Sequence, residues 1–317
     1  MNDKAIPRPV RQGPYVPVFR PEGDVYEGVD TPSFRKGAFY PRWIVNDFSA
    51  VRYHGAWHLI GITHPEPPGM TDEFVYDPAT VHEAEYQLFH ASAPGERFAG
   101  LMRAGSFTEE PKILYPQMRP GESPDLWAPH ALAFHGGIRI VYSPGEIRCA
   151  DSTDFRSWQT GRVLFRGEDN FARDPFLYNE NGCTYLLYVV KNTVLCRKST
   201  DDMASWSEPF LVYENPFMTD GGGKASPESP YLLKRGGIYY LFWCIYDGFA
   251  GCYDHRTFVF AAETIDGFRG KAPITVLDAH APEIVTDDDG RTFLLSVFYP
   301  ENGVSAAELV WETGDGQ

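Results

Sequence analysis

The chain has 317 residues, is 15% aromatic, holds 30 glycines and 26 prolines, and carries a net charge of −15. The length allows two average domains or one large all-β unit, and the balance of glycine, proline and aromatic residues favours many short strands over helices. The acidic field repels phosphate backbones and anionic membranes, so nucleic acid and membrane surfaces are excluded as expected partners, while neutral sugars are indifferent to it.

The N-terminal stretch MNDKAIPRPVRQGPYVP is polar and lacks the apolar core of a secretory signal. No apolar run approaches 18 residues. A cytoplasmic location is therefore expected. Tyr15–Ser33 precedes the repeats described next and is expected to supply a strand that closes the last of them. The five cysteines, Cys149, Cys183, Cys196, Cys244 and Cys252, form no C-x-x-C pair. Four lie in apolar runs and read as small buried hydrophobes, so neither a disulfide framework nor a zinc site is expected.

One unit is written five times: Asn46–Ile62, Trp127–Ser143, Arg173–Val189, Glu228–Cys244 and His280–Phe298. Each opens on a polar or aromatic pair, usually before proline. A short strand follows, then a turn at His54-Gly55, Gly136-Gly137, Asn181-Gly182, Gly236-Gly237 or Asp289-Gly290, then a second apolar strand. Such turns between apolar runs are the strongest short-range hairpin signal. Third strands are expected at Tyr86–Ala93, Ile147–Ser152, Val194–Thr200 and Thr257–Thr264, trailed by the related segments Asp154–Trp158, Asp202–Trp206 and Asp266–Gly270. Ala306–Glu312 reads as a further strand, and Asp287–Asp289 as a solvated turn.

Three to four strands recurring about every 50 residues are the signature of a propeller blade. The fold expected is all-β, a five-bladed β-propeller filling residues 1–317 as one domain, with blades near 43–100, 127–165, 173–213, 228–270 and 280–312. The competing arrangement is an irregular β-sandwich with similar hairpins. The segment His64–Glu85 has no strand pattern and is expected to shape the rim of the funnel.

In a propeller the five openings face one central funnel. They read Asn46-Asp47, Trp127-Ala128-Pro129-His130, Arg173-Asp174-Pro175, Glu228-Ser229-Pro230 and His280-Ala281-Pro282-Glu283. Three carboxylates, Asp47, Asp174 and Glu228, thus converge with one cation, Arg173. Glycoside cleavage needs such a set: one carboxylate as nucleophile or base and one carboxylic acid to protonate the leaving oxygen. A third raises the acid's pKa or holds sugar hydroxyls. The same residues also suit plainer roles. Asn-Asp favours turns, Arg173 and Asp174 suit an ion pair within a blade, and Glu228 suits a cap on loop N–H groups.

These openings resemble those of the five-bladed propeller glycoside hydrolases, the group that includes families 32, 43 and 68. WIVNDFSAVRYHGAWHLI (Trp43–Ile60) is similar to the family 32 stretch around its nucleophile, with Phe48 where that family has proline. Arg173-Asp174-Pro175 resembles the family 32 R-D-P motif, and Glu228-Ser229-Pro230 resembles E-C-P of family 32 and E-G-P of family 43. Trp127-Ala128-Pro129 and the fifth-opening His280 are more like family 43. The resemblance implies Asp47 as nucleophile or base, Glu228 as acid/base and Asp174 as the transition-state stabiliser. Asn46, Trp43, Trp127, His130, Arg173, His280 and Glu283 are the expected substrate contacts, the tryptophans as stacking faces.

No cofactor is expected and no metal ligand is read from the residues, although the resemblance leaves room for a structural Ca or Na ion near His280. The function expected is hydrolysis of a terminal fructosyl, arabinosyl or xylosyl linkage, with a small oligosaccharide or glycoside as partner. The alternative is a non-catalytic carbohydrate-binding propeller. A phosphorylase would need several cations at the openings, where only Arg173 stands.

Overall fold

A computed structural model describes residues 6–66, 84–217, 225–246, 255–297 and 303–313. Five four-stranded antiparallel sheets form the blades of a propeller. Blade one is β4 (Trp43–Tyr53), β5 (Ala56–Pro65), β6 (Leu88–Pro94) and β7 (Thr108–Ile113). Blade two is β8 (Trp127–Phe134), β9 (Gly137–Ser143), β10 (Glu146–Ser152) and β11 (Gln159–Arg166). Blade three is β12 (Arg173–Glu180), β13 (Cys183–Val190), β14 (Thr193–Ser199) and β15 (Phe210–Glu214). Blade four is β16 (Ser226–Arg235), β17 (Ile238–Tyr246), β18 (Arg256–Ala262) and β19 (Thr275–Asp278).

Blade five takes β20 (His280–Thr286), β21 (Thr292–Val297) and β22 (Val304–Glu312) from the C-terminal part of the chain and its outermost strand, β1 (Arg8–Phe19), from the N-terminal part. The expected ring closure is present, but the closing strand begins seven residues earlier than Tyr15, at Arg8 opposite Glu312. A two-stranded ribbon, β2 (Asp24–Val25) and β3 (Phe39–Tyr40), leads into blade one. Among the described residues no helix is long and apolar enough to cross a membrane.

The hairpins form because their turn residues accept left-handed backbone. His54-Gly55, Asn181-Gly182 and Gly236-Gly237 have positive φ at both central positions, the requirement of the type I′ turn that matches strand twist. In blade two the left-handed pair is His135-Gly136 rather than Gly136-Gly137, because Phe134 pairs with Gly137. The trailing segments Asp154–Trp158 and Asp202–Trp206 are turns that lead into the fourth strands. In the first, Asp154 Oδ1 accepts from the N–H groups of Arg156 and Ser157, each at 2.8 Å.

Each sheet is covered on both faces, so its inner strands are almost continuously apolar. Five buried clusters fill the five gaps between neighbouring blades. Phe48, Phe89, Phe293 and Val304 pack between blades one and five, and Trp243 lies flat against Phe260, 5.7 Å between ring centroids, between blades three and four. Asp287 is not a solvated turn residue. It is buried, and its two carboxylate oxygens accept from Phe98 N at 2.6 Å and Ala99 N at 3.0 Å, fastening blade five to blade one.

The innermost strands share one irregularity. Between Val45 and Phe48, Trp127 and His130, Arg173 and Phe176, Glu228 and Tyr231, and His280 and Glu283, the strand advances three residues while its partner advances two. Each is a one-residue β-bulge, a device that re-aims side chains and sharpens twist. In blades two to five the residue before proline is left-handed: Ala128 (φ 40°), Asp174 (56°), Ser229 (49°) and Ala281 (48°). Non-glycine residues hold that conformation only where the surroundings enforce it.

Candidate active site

The five bulges meet on the propeller axis around one small cavity. It is lined by Asp47, Phe48, Ala128, His130, Asp174, Phe176, Ser229, Ala281 and Glu283, with the four bulge prolines. About 30 Å³ is open between the bulges, room for a water molecule. A larger recess of about 400 Å³ lies at the other end of blade two, lined by Phe134, Arg139, Asp151 and Trp158, and contains none of these carboxylates.

Blades one, three and four are tied together by a single residue, Ser229. Its Oγ donates to Asp47 Oδ1 at 2.7 Å, and its backbone N–H donates to Asp174 Oδ2 at 3.0 Å. The left-handed turn at Ser229 is what aims both donors at the axis. Asp47 sits in the blade-one bulge opposite Gly61. A Cβ on Gly61 would lie 2.5 Å from Phe48 Cβ and 2.8 Å from Asp47 O, so only glycine lets the bulge settle there. Arg173 lies with its Nε 3.5 Å from Asp174 Oδ2 and donates through Nη2 to Ser226 Oγ at 2.9 Å, bridging blades three and four.

Glu228 directly precedes the bulge and pairs across the sheet with Cys244. Its Oε2 is 3.8 Å from His280 Nε2, and its side chain is 12% exposed. Its backbone carbonyl accepts from Cys244 Sγ at 3.6 Å. His280 is anchored by its own backbone, whose N–H donates to Ser296 Oγ at 2.8 Å while that hydroxyl donates back to His280 O at 3.1 Å.

Burial and crowding of like charge shape the acids. Burial pushes Asp47 up to about 7, with the charges of Asp174 and Glu85 adding to it and the Ser229 hydroxyl and Arg173 opposing it. Burial also raises Asp174, against the pull of Arg173 and the Ser229 N–H. Glu228 is held well above the usual carboxylate range, first by burial, then by Asp47 and Asp174. The acids thus hold their protons to higher pH than free carboxyls do, which is what a carboxylic acid that protonates a leaving group near neutral pH needs.

Glu85 is a fourth carboxylate that sequence reasoning missed. It is 2% exposed and its charge acts on Asp47, Asp174 and Glu228 alike. Its backbone is fixed by the linker between blades one and two, where its carbonyl accepts from Leu126 N at 2.9 Å and the next carbonyl, of Tyr86, accepts from Arg119 at 3.3 Å. Glu85 ends the patternless segment His64–Glu85; the rest of that segment from residue 67 to 83 lies outside the described residues.

The expected contacts divide. His130 and Glu283 line the axial cavity 3.9 Å apart, His130 against the Phe176 ring and Glu283 Oε2 accepting from Ala50 N at 3.0 Å. Asn46 is buried beside Asp47 in the bulge. Trp127 is half-buried against the cluster between blades one and two. Trp43 corrects the sequence expectation: it is 1% exposed, packed with Tyr26, Phe34 and Ala84. Its indole N–H donates to Tyr40 O at 3.1 Å, and Lys112 Nζ lies 4.2 Å from the ring centroid. The segment between β1 and β4 covers it, so it has no free face to offer a sugar.

No family model matches the chain, and no curated protein matches it in sequence. Solved structures do match. A thermostable family-43 glycoside hydrolase superposes with a TM-score of 0.60 at 14% identity, over 87% of this chain and 92% of that one. The fold is that of the five-bladed glycoside hydrolase propellers. An endo-arabinase from Bacteroides thetaiotaomicron gives 0.58 at 11% identity, covering 86% and 95% of the two chains. A family 32 β-fructofuranosidase from Bombyx mori gives 0.55 at 16% identity, over 86% of this propeller and 62% of the silkworm chain.

Among the described residues one group could hold a metal: Glu228, Cys244 and His280 offer donor atoms within 4.8 Å of one another. Hard cations such as Ca take six to eight oxygen ligands. These three side chains offer a single carboxylate among them, so the Ca or Na ion expected near His280 would need water or backbone carbonyls for most of its ligands.

Proposed function

We propose that the protein is a glycoside hydrolase acting on terminal arabinosyl, fructosyl or xylosyl residues through Asp47 and Glu228. The observation that carries this reading is the meeting of acids from different blades at the axis, Asp47 and Asp174 joined through Ser229 and Glu228 beside it in the same strand, with burial and mutual charge raising all three. A protonated Glu228 delivers its proton to the leaving glycosidic oxygen. Asp47, ionised in part at neutral pH and steadied by the Ser229 hydroxyl, attacks the anomeric carbon or takes a proton from water. Asp174 and Arg173 hold ring hydroxyls as positive charge builds on the sugar. Neighbours described as an endo-arabinase, an exo-1,5-α-L-arabinanase and a β-fructofuranosidase support a furanoside substrate.

The test is a panel of aryl glycosides and oligosaccharides with arabinosyl, fructosyl and xylosyl ends. Wild type releases the monosaccharide from at least one, and Asp47→Asn and Glu228→Gln each lose roughly 10²–10⁴-fold in kcat/KM on natural linkages while still binding the sugar. Binding without release by wild type across the panel would leave a carbohydrate-binding propeller instead. The anomer first seen by NMR sets the stereochemistry. Retention goes with carboxyls about 5–5.5 Å apart and inversion with about 6.5–9.5 Å.

A further inference from the structure

The donors of the Glu228–Cys244–His280 group point to metal chemistry softer than that of Ca or Na. Three donor types converge there, one sulfur, one nitrogen and one oxygen, all within 4.8 Å of one another. Each comes from a fixed backbone. Cys244 stands opposite Glu228 in the β16–β17 ladder, its Sγ donating to Glu228 O and accepting from Ala281 N at 3.5 Å. The sulfur is thereby held between blades four and five, against the backbone that carries His280. The imidazole nitrogen already lies 3.8 Å from the carboxylate oxygen. Ligands of a tetrahedral zinc ion, at bonds of about 2.0–2.3 Å, stand roughly 3.3–3.7 Å apart, so the group needs only small side-chain rotations to close on one ion.

We infer that Glu228, Cys244 and His280 form a binding site for a soft divalent transition metal such as Zn²⁺, which silences the enzyme by capturing its acid. Thiolate with imidazole selects such ions over Ca, Mg or Na. On binding, the Cys244 thiol and the Glu228 carboxyl each release a proton to solvent, the His280 ring lends a lone pair, and one Glu228 oxygen closes the third bond. Water takes the fourth position of such an ion. A metal-bound Glu228 has no proton to give a leaving group. Cys244 and His280 are buried at 0% and 1% exposure, so the ion must arrive past Glu228, and a sugar in the funnel competes with it. Inhibition rests on the functional reading above; metal binding does not.

The test uses the full chain, stripped with a chelator and titrated with Co²⁺. Wild type is expected to develop a thiolate-to-cobalt charge-transfer absorption that saturates at one equivalent and is bleached by Zn²⁺. In Cys244→Ala the band disappears and Co²⁺ affinity falls at least ~10–100-fold. Cys244→Ser, closer in shape and with a hydroxyl that these metals bind poorly, serves if the alanine variant does not fold. On a hydrolysed glycoside, Zn²⁺ stops wild type reversibly and leaves the Cys244 variant running. No band in wild type, or the same band at the same affinity in the Cys244 variants, overturns the site. A band lost with Cys244 but with hydrolysis undisturbed by Zn²⁺ overturns the inhibition. If no glycoside is ever cleaved, the functional reading fails alone, because the cobalt spectrum still decides the metal site.

Discussion

Ser229 Oγ donates to Asp47 Oδ1 at 2.7 Å, joining blade four to blade one at the propeller axis. The bond favours the ionised form of Asp47 against the burial that opposes it. Removing it in Ser229→Ala therefore raises Asp47 further above about 7 and leaves less of it ionised at neutral pH. The expected result is a ~10-fold or greater loss of kcat/KM at pH 7, with the acid limb of the pH–rate profile displaced to higher pH. A profile that keeps its acid limb would show that the hydroxyl does not tune Asp47.

Asp47 also sets a pH-dependent cost in stability. Its folded pKa, about 7, lies above its ordinary value of 3.8, so the folded chain holds a proton that the unfolded chain has released. Stability thus falls as pH rises from about 4 to about 7. Asp47→Asn keeps an oxygen acceptor for Ser229 and removes the charge. Denaturant unfolding should find the variant more stable than wild type at pH 8, on the order of 1–3 kcal/mol, with the difference closing near pH 4.

A second buried pair works in the opposite direction. His58 Nδ1 and His90 Nε2 are 2.9 Å apart, and Phe155 stacks on both rings at 4.4 Å. Burial, then the neighbouring His58, pushes His90 down to about 3. The unfolded chain takes up this proton near pH 6.5 and the folded one does not, so this pair loses stability as pH falls from about 6.5 toward 3. His90→Gln should flatten that part of the wild-type stability curve; an unchanged difference between the two proteins from pH 7 to 4 would refute it.

Gly61 is required by the blade-one bulge. A methyl group there meets Phe48 Cβ at 2.5 Å, Phe89 Cε1 at 2.6 Å and Asp47 O at 2.8 Å. Gly61→Ala is expected to destabilise by about 1–3 kcal/mol and, because it moves the backbone that carries Asp47, to lower kcat as well. Thermal unfolding and steady-state kinetics on the same preparation check both parts.

The propeller was legible because its signals are local. Left-handed turn pairs such as Asn181-Gly182 and residue–proline openings such as Asp174-Pro175 recur at similar spacing, and apolar strands lie between them. Asp47, Asp174 and Glu228 could be placed from those openings alone. What escaped depends on contacts between blades. Ser229 was visible only as the middle of Glu228-Ser229-Pro230, and nothing local says that its hydroxyl crosses to blade one. Glu85 ends a segment without strand periodicity, so no pattern aims it inward. Trp43 opens an apolar strand and could face the funnel or the core; the covering residues Tyr26 and Phe34 come from a stretch whose path the sequence does not reveal. Asp287 looks like one of three acidic turn residues until Phe98 and Ala99 are brought against it from another blade.

The central claim is that Glu228 protonates a departing sugar oxygen, and leaving-group dependence tests it most directly. Glu228→Gln should be measured against wild type on an arabinosyl, fructosyl or xylosyl oligosaccharide and on the matching dinitrophenyl glycoside, whose leaving group needs no proton. The prediction is a loss of roughly 10²–10⁴-fold on the oligosaccharide with little loss on the dinitrophenyl glycoside. Equal losses on both, or no loss on the oligosaccharide, would contradict the assignment.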